Sequence, residues 1–121
     1  MGTTAKNSTF LQSCLVAFRG FTRVFKSEPK VRLAFLMGFI CTSVAVGLKA
    51  ARIETLLILF SWIQVIVGEI FNTALEKAMD YASSEKFHPL IERGKDYAAG
   101  SVFVLSVFAI FLSLYIFSQY L

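Results

Sequence analysis

Polar side chains recur every three or four residues along one stretch of an otherwise apolar segment. This polar stripe consists of Glu69, Asn72, Thr73, Glu76 and Asp80. In a helix of about 3.6 residues per turn, that spacing places all of them on one face. Carboxylates arranged in this way suit phosphoryl transfer, because one can hold Mg²⁺ against nucleotide phosphates while another accepts the proton of an attacking hydroxyl.

Glu69 is the most informative member of the polar stripe, because apolar residues precede it. An ionisable group at the centre of a membrane-spanning helix costs about 2.5 kcal/mol or more, so such residues face protein or water and by default indicate function. Glu76 lies two turns further on, roughly 10 Å along the helix axis. The spacing therefore predicts a site with one carboxylate near the lipid boundary and another near an aqueous phosphate.

The polar stripe also has a structural interpretation, in which Asn72 and Thr73 hydrogen-bond a neighbouring helix. Two further functional classes fit an intramembrane carboxylate. One is a small transporter or channel subunit that uses Glu69 as a proton or cation site, and the other is a noncatalytic assembly protein. We prefer an enzyme because neither alternative explains why the stripe ends at a basic polar segment.

Two candidate residues lie outside the polar stripe. Glu28 immediately precedes the first apolar run and is a candidate metal ligand, while Lys95 precedes the last run, where its ammonium would meet phosphate oxygens. Neither GxxxxGK[ST] nor GxGxxG occurs in the sequence. A nucleotide site would therefore be built without a Walker A loop or a kinase glycine-rich loop.

The composition places these residues in a membrane protein. The chain has 121 residues, of which 56% are hydrophobic and 17% charged, and its mean hydropathy is +0.66. Crossing a bilayer takes about 20 mostly apolar residues. The segments long enough are 31–48, 55–80 with an extension beyond the membrane, and 97–120. Segment 8–27 carries an apolar face opposite a basic one, which is typical of a helix lying in the interface.

The sequence thus predicts a single all-α membrane domain over residues 1–121, with an N-terminal amphipathic surface helix and three transmembrane helices. Of the 12 Lys and Arg residues, six lie before or at the start of the first span and four surround the second linker, against two in the first linker. The positive-inside rule therefore puts the N-terminus in the cytoplasm and the C-terminus outside. Both prolines, Pro29 and Pro89, are expected in linkers, and the second linker is predicted to run over 76–94.

Several classes of function are disfavoured by the distribution of residues. The basic residues flank apolar runs, which suits anionic lipid head groups and not nucleic acid. Cys14 and Cys41 have no paired spacing, so we expect neither a disulfide nor a metal–thiolate site. The first strongly apolar run begins near Val31, so a cleaved signal peptide is not expected.

Three motifs resemble one known family. They read Gly-Glu-Ile-Phe-Asn-Thr-Ala-Leu-Glu-Lys-Ala-Met-Asp over 68–80, Phe-His-Pro-Leu over 87–90, and Lys-Asp-Tyr-Ala-Ala-Gly over 95–100. With Ser13, Ala17, Gly20 and Glu28 at the expected places, the sequence resembles the small trimeric prokaryotic diacylglycerol kinase and undecaprenol kinase family over nearly its whole length. The resemblance implies ATP- and Mg²⁺-dependent phosphorylation of a membrane lipid alcohol by a homotrimer. The active sites would lie between protomers on the cytoplasmic side of the bacterial inner membrane.

The resemblance also implies roles for individual residues. Glu69 would be the catalytic base, Asn72 would organise the site, and Glu28 and Glu76 would be metal ligands. The implied ATP contacts are Glu28, Glu76, Glu85, Phe87, His88, Lys95 and Asp96. The implied lipid contacts are Ser13, Ala17, Arg32, Glu69 and Ala99.

The sequence departs from the family pattern at two places. After Glu28 the family commonly has an Asn-Phe-Arg-type stretch, whereas residues 29–34 read Pro-Lys-Val-Arg-Leu-Ala and keep only Arg32. The loop between Asp80 and His88 is one residue longer than in some members. The His-Pro-Leu and Lys-Asp-x-Ala-Ala-Gly motifs are more similar to undecaprenol kinases, and both diacylglycerol and undecaprenol are kept as candidate substrates.

Overall fold

The computed structural model describes residues 9–121, and within that range it consists of helices without strands. The helices are α1 (Phe10–Ser27), α2 (Pro29–Gly47), α3 (Arg52–Ala82) and α4 (Pro89–Ser118). The last three are long and apolar enough to cross a membrane. The predicted all-α membrane fold is confirmed. The predicted first residue of the surface helix, Ser8, lies outside the described residues.

The joint between α1 and α2 is a single extended residue held by an arginine. Glu28 has φ −117° and ψ 108°, and Pro29 follows in the first turn of α2, where a missing backbone N–H costs nothing. Arg32 Nη1 donates hydrogen bonds to the carbonyls of Phe25 at 2.8 Å and Lys26 at 2.7 Å. The guanidinium therefore satisfies carbonyls at the end of α1 and fixes the angle between the two helices.

The connection between α3 and α4 is much shorter than the sequence suggested. The predicted linker over 76–94 is wrong, because α3 continues to residue 82 and α4 begins at Pro89. The chain reverses through Ser84 and Glu85, whose φ values are 54° and 61°. His88 precedes α4 in an extended conformation, and its Nδ1 accepts a hydrogen bond from the Leu90 N–H at 3.2 Å. The proline thus opens a helix, as Pro29 does, and does not lie within a linker.

Helix α3 is central, since it packs against both α2 and α4. Buried apolar side chains from these three helices form the core. The indole N–H of Trp62 donates to Ser113 Oγ at 3.1 Å, so the one polar atom of this buried ring is satisfied. At the end of the bundle away from α1, the Tyr120 hydroxyl donates to Glu54 and accepts from the Ala51 N–H at 3.0 Å.

Close packing of α2 on α3 gives a first prediction. A Cβ at Gly38 would lie 2.9 Å from Trp62 Cβ, whereas a Cβ at Gly47, in the same helix, would meet nothing within 4 Å. Gly38→Ala should therefore lower the free energy of unfolding by roughly 1–3 kcal/mol, the usual cost of overpacking. Gly47→Ala is the matched control and should leave it unchanged or slightly higher. Thermal unfolding in detergent micelles measures both, and equal melting temperatures would contradict the close packing.

Candidate functional site

The polar stripe is one continuous face of α3, as predicted from its spacing. Asn72 and Thr73 are buried, with 5% and 7% of their surfaces exposed. Glu69, Glu76 and Asp80 are half-buried on the same face. The carboxylates are thus held against the protein while keeping an opening to the outside, which suits groups that meet a substrate.

Asn72 and Glu76 form the polar centre of this face. The Asn72 side-chain amide donates to Glu76 Oε2 across 3.5 Å, at the long limit for a hydrogen bond. Among the described residues, Asn72 Oδ1 has no hydrogen-bond partner although it is buried. A buried amide oxygen without a partner is costly, so its presence beside a carboxylate favours a bound cation or donor at this place.

Glu69 lines a different part of the molecule. It lies in a groove of about 340 Å³ between α2, α3 and α4, together with Lys30, Ser106 and six apolar side chains. Lys30 belongs to the first turn of α2, so the groove has a carboxylate and an ammonium on facing helices. The remaining lining is aliphatic or aromatic and includes Trp62. Such a groove can admit an apolar chain and bring its polar end to Glu69.

Lys30 is a candidate residue that the sequence did not single out. In the sequence it is one of the basic residues before the first span. No spacing in the sequence relates residue 30 to residue 69. The only available signal was that Lys30 opens a membrane-spanning helix on the same side as the end of α3.

The C-terminal end of α3 is paired with the start of α4. Lys95 Nζ lies 2.6 Å from Asp80 Oδ1 and 4.0 Å from Glu92 Oε2. A Cβ at Gly94 would lie 2.9 Å from Met79 Cε, so the two helices approach closely here. Lys95, predicted to contact phosphate, is therefore paired with the Asp80 carboxylate at the end of the polar stripe. To bind an anionic ligand, Lys95 would have to leave that carboxylate.

A second groove, of about 460 Å³, lies between α1 and α3. Ala17 lines it together with Thr73 and Lys77 of α3. The predicted lipid contact at Ala17 thus faces the polar stripe. Ser13 is exposed and its hydroxyl donates to the Thr9 carbonyl at 3.3 Å.

The other predicted contacts lie around the turn between α3 and α4 or near it on α4. Glu85 and Phe87 are exposed on the turn, and Asp96 and Ala99 are exposed on α4. His88 uses Nδ1 to cap α4. The structure therefore gathers these residues at the end of the bundle where the polar stripe terminates, while Arg32 is engaged at the joint between α1 and α2.

The donor set fits a magnesium ion shared with phosphates. Among residues 9–121, no three His, Cys, Asp or Glu side chains converge as a complete metal site. Mg²⁺ does not require one, because it keeps several waters and is commonly held by one or two carboxylates plus substrate phosphates. Glu76 and the unpartnered Asn72 Oδ1 supply two hard oxygen atoms of the preferred kind, and Glu28 is half-buried at the joint between α1 and α2.

These features describe a membrane-embedded enzyme whose carboxylates lie along one helix, between an apolar groove and a polar end of the bundle. The sequence profile of the prokaryotic diacylglycerol kinase family matches residues 15–117. A diacylglycerol kinase of Pseudomonas aeruginosa is 31% identical over 85 residues, covering 70% of this chain and 68% of the relative. Diacylglycerol kinases of Helicobacter pylori J99 and Haemophilus influenzae are each 29% identical, covering 78% of this chain and 84% and 79% of the relatives.

The chain belongs to the prokaryotic diacylglycerol kinase family. It is accordingly a lipid kinase, a phosphotransferase with an alcohol group as acceptor. Family membership confirms the resemblance seen in the motifs and favours the enzyme over the transporter and the assembly protein.

Proposed function

We propose that this protein transfers the γ-phosphoryl group of ATP, with Mg²⁺, to the hydroxyl of a membrane lipid alcohol, either diacylglycerol or undecaprenol. The proposal rests on the arrangement of the polar stripe, whose residues lie in two different surroundings along α3. Glu69 lines an apolar groove, while Glu76 and the unpartnered Asn72 oxygen lie further towards the polar end. One helix face thus presents a proton acceptor to the lipid and oxygen ligands to a magnesium ion that would bind the phosphates.

In the proposed reaction, the lipid enters the groove from the bilayer and its hydroxyl meets the Glu69 carboxylate. The hydroxyl proton passes to a Glu69 oxygen as the lipid oxygen bonds to the γ-phosphorus. The bond between that phosphorus and the bridging oxygen breaks, and ADP leaves with the electron pair. Since phosphoryl transfer depends mostly on positioning and charge neutralisation, Glu69 contributes only part of the rate enhancement.

Glu76 and Glu28 are the proposed magnesium ligands, and Asn72 orients Glu76 through the amide contact of 3.5 Å. The ion would neutralise charge on the nucleotide phosphates when bound. Glu85, Phe87, His88, Lys95 and Asp96 are proposed ATP contacts, because they gather at the same end of the bundle. Ser13, Ala17, Arg32, Glu69 and Ala99 are the proposed lipid contacts.

The proposed location is the bacterial cytoplasmic membrane, with the active site on the cytoplasmic side, the N-terminus in the cytoplasm and the C-terminus outside. Basic residues concentrate at the end of the bundle formed by α1 and the α3–α4 turn, which supports this orientation. The active form is proposed to be a homotrimer with sites completed between protomers.

The direct test is phosphate transfer from labelled ATP in mixed micelles, with diacylglycerol and undecaprenol offered separately in the presence of Mg²⁺. Labelled lipid from either substrate supports the proposal and names the acceptor. A folded protein that labels neither lipid would contradict it. Omitting Mg²⁺ in parallel tests the metal dependence.

The groove shared by Lys30 and Glu69 gives a second prediction. An ammonium in an apolar groove favours the ionised form of a carboxylate, and only that form accepts a proton. Lys30→Gln should lower kcat for the preferred lipid by roughly tenfold, while Lys30→Arg should retain most of it. Lys49→Gln, just beyond the other end of α2, is the control for loss of one positive charge. Equal kcat values for Lys30→Gln and the unmodified protein would show that Lys30 has no role in the reaction.

A further inference from the structure

The groove that holds Glu69 is polar at one end and apolar at the other, and we call it the Glu69 groove. Lys30, Glu69 and Ser106 supply its polar side chains, one from each of α2, α3 and α4. Beyond them, the lining continues towards the opposite end of the bundle through apolar side chains, of which Trp62 on α3 and Ile110 on α4 lie furthest along. A lipid whose hydroxyl meets Glu69 would therefore extend its chain towards Trp62.

The indole of Trp62 lies across the apolar end of the Glu69 groove. Only 4% of the residue is exposed, and its Nε1 donates to Ser113 Oγ at 3.1 Å. Ser113 lies on α4 about one turn beyond Ile110. On the other side, Trp62 packs so closely on α2 that a Cβ at Gly38 would lie 2.9 Å from the Trp62 Cβ. The ring is therefore held between α2 and α4, where it blocks a chain that follows the groove.

Trp62 also separates the Glu69 groove from another one. A groove of about 520 Å³ lies between α2 and α3, and its lining includes Phe39, Thr42 and Leu59. Among the described residues, Trp62 is the only one that lines both grooves. A smaller side chain at this position would therefore join the two, and a lipid chain could continue past residue 62 into the larger groove.

We propose that Trp62 is a specificity-determining residue, whose indole sets how much of the acceptor chain the enzyme encloses. Glu69 and Trp62 are seven residues apart, which is roughly 10 Å along a helix axis. An extended chain advances roughly 1.2 Å per bond, as a peptide backbone does. About eight carbon atoms therefore fit between the hydroxyl and the indole, and the rest of the chain leaves the groove for the bilayer. The inference rests on the proposed function, since it places the acceptor hydroxyl at Glu69.

Fluorescence tests the position of the indole directly. Trp62 is the only tryptophan of the chain, so the tryptophan emission of the unmodified protein comes from this ring. A bromine atom in contact with the ring, within about 4.5 Å, quenches that emission. The probes are primary alcohols of four, eight and twelve carbons with bromine on the last carbon. The controls are bromoalkanes of the same lengths, which lack the hydroxyl.

In micelles without ATP, the quenching by each alcohol is compared with that by the bromoalkane of equal length, which corrects for partitioning into the micelle. The excess should be greatest for the eight-carbon alcohol. It should be roughly threefold smaller for the other two alcohols, whose bromine falls short of the ring or passes it. Equal excess at all three lengths, or no excess at any, would overturn the proposal.

Substitution of Trp62 tests its effect on the choice of acceptor. The measured quantity is the ratio of kcat/KM for long and short acceptors, either diacylglycerols with sixteen- and eight-carbon chains or polyprenols of eleven and three isoprene units. In the unmodified protein this ratio should be close to one, because carbons beyond the indole do not contact the groove. Trp62→Ala should raise it roughly fivefold, because the additional carbons pack in the joined grooves. Trp62→Phe, which keeps a ring, should raise it by less than about twofold.

Phe103→Ala is the control for loss of an aromatic side chain. Phe103 is 68% exposed on α4 and lines neither groove, so the ratio should stay as it is in the unmodified protein. Circular dichroism shows whether each variant is folded. An unchanged ratio in folded Trp62→Ala protein would overturn the role of the indole. Should Trp62→Ala fail to fold, the ratio for Trp62→Leu and the quenching pattern of the unmodified protein decide the question in the same way.

The quenching experiment needs no turnover, so it separates this inference from the proposed function. Excess quenching at eight carbons in a protein that phosphorylates neither lipid would support closure of the groove by Trp62 and contradict the proposed reaction. Lipid phosphorylation together with quenching that does not depend on chain length would support the reaction and overturn the role of Trp62.

Discussion

Replacing Glu69 with glutamine should abolish most lipid phosphorylation, with kcat falling by roughly 100- to 10,000-fold, the usual contribution of a positioned general base. Glutamine has nearly the same shape and still fills its part of the groove between α2, α3 and α4. It cannot accept the hydroxyl proton, so the loss falls on the chemical step. Binding of ATP, measured separately, should change little, because Glu69 lies on the lipid side of the stripe.

The matched control is Glu54→Gln, which makes the same chemical change near the beginning of α3. Glu54 accepts hydrogen bonds from the Ala51 N–H and the Tyr120 hydroxyl, and a glutamine oxygen can still accept them. Circular dichroism and the size of the micellar complex should be the same for both variants. Near-normal turnover by a folded Glu69→Gln protein would remove Glu69 from the role of base.

Glu76→Gln should be comparably damaging through a different step. The substitution removes a charged oxygen ligand beside the buried, unpartnered Asn72 Oδ1, which weakens the proposed magnesium and nucleotide site. We expect kcat/KM for ATP to fall on the order of 100-fold, equivalent to about 2.7 kcal/mol of lost stabilisation. The Mg²⁺ concentration needed for half-maximal activity should rise at the same time.

A magnesium titration at several ATP concentrations distinguishes this loss from misfolding, because excess Mg²⁺ should partly restore Glu76→Gln but not Glu69→Gln. Glu92→Gln is the control for a carboxylate at the same end of the bundle, 4.0 Å from Lys95. If Glu76→Gln kept the normal Mg²⁺ requirement, Glu76 would not be a metal ligand.

The sequence alone was sufficient for the membrane helices and for the polar stripe on α3. Hydropathy along the chain reports which segments prefer hydrocarbon, and residues three or four apart must share a helical face whatever surrounds them. Both features depend on neighbours in the chain. The shared helical face of Glu69, Asn72 and Glu76 therefore follows from the sequence without any tertiary contact. The motif that contains them resembles the family to which the chain belongs.

The turn between α3 and α4 was predicted less well. Its polar composition indicated a long linker over 76–94, but the polar residues lie on helices that extend beyond the apolar runs. Hydropathy marks where the membrane ends and does not mark where a helix ends. Pro89 and the capping His88 were the better signals, because proline is favoured in the first turn of a helix.

Only the tertiary structure decided which side chains meet across helices. The sequence did not predict that Lys30 shares a groove with Glu69, that Lys95 pairs with Asp80, or that Arg32 closes the end of α1. Contacts of this kind depend on how the helices are rotated about their axes and which of them are adjacent. Those relations are set by packing of small against large residues, such as Gly38 on Trp62, and not by the order of residues within any one helix.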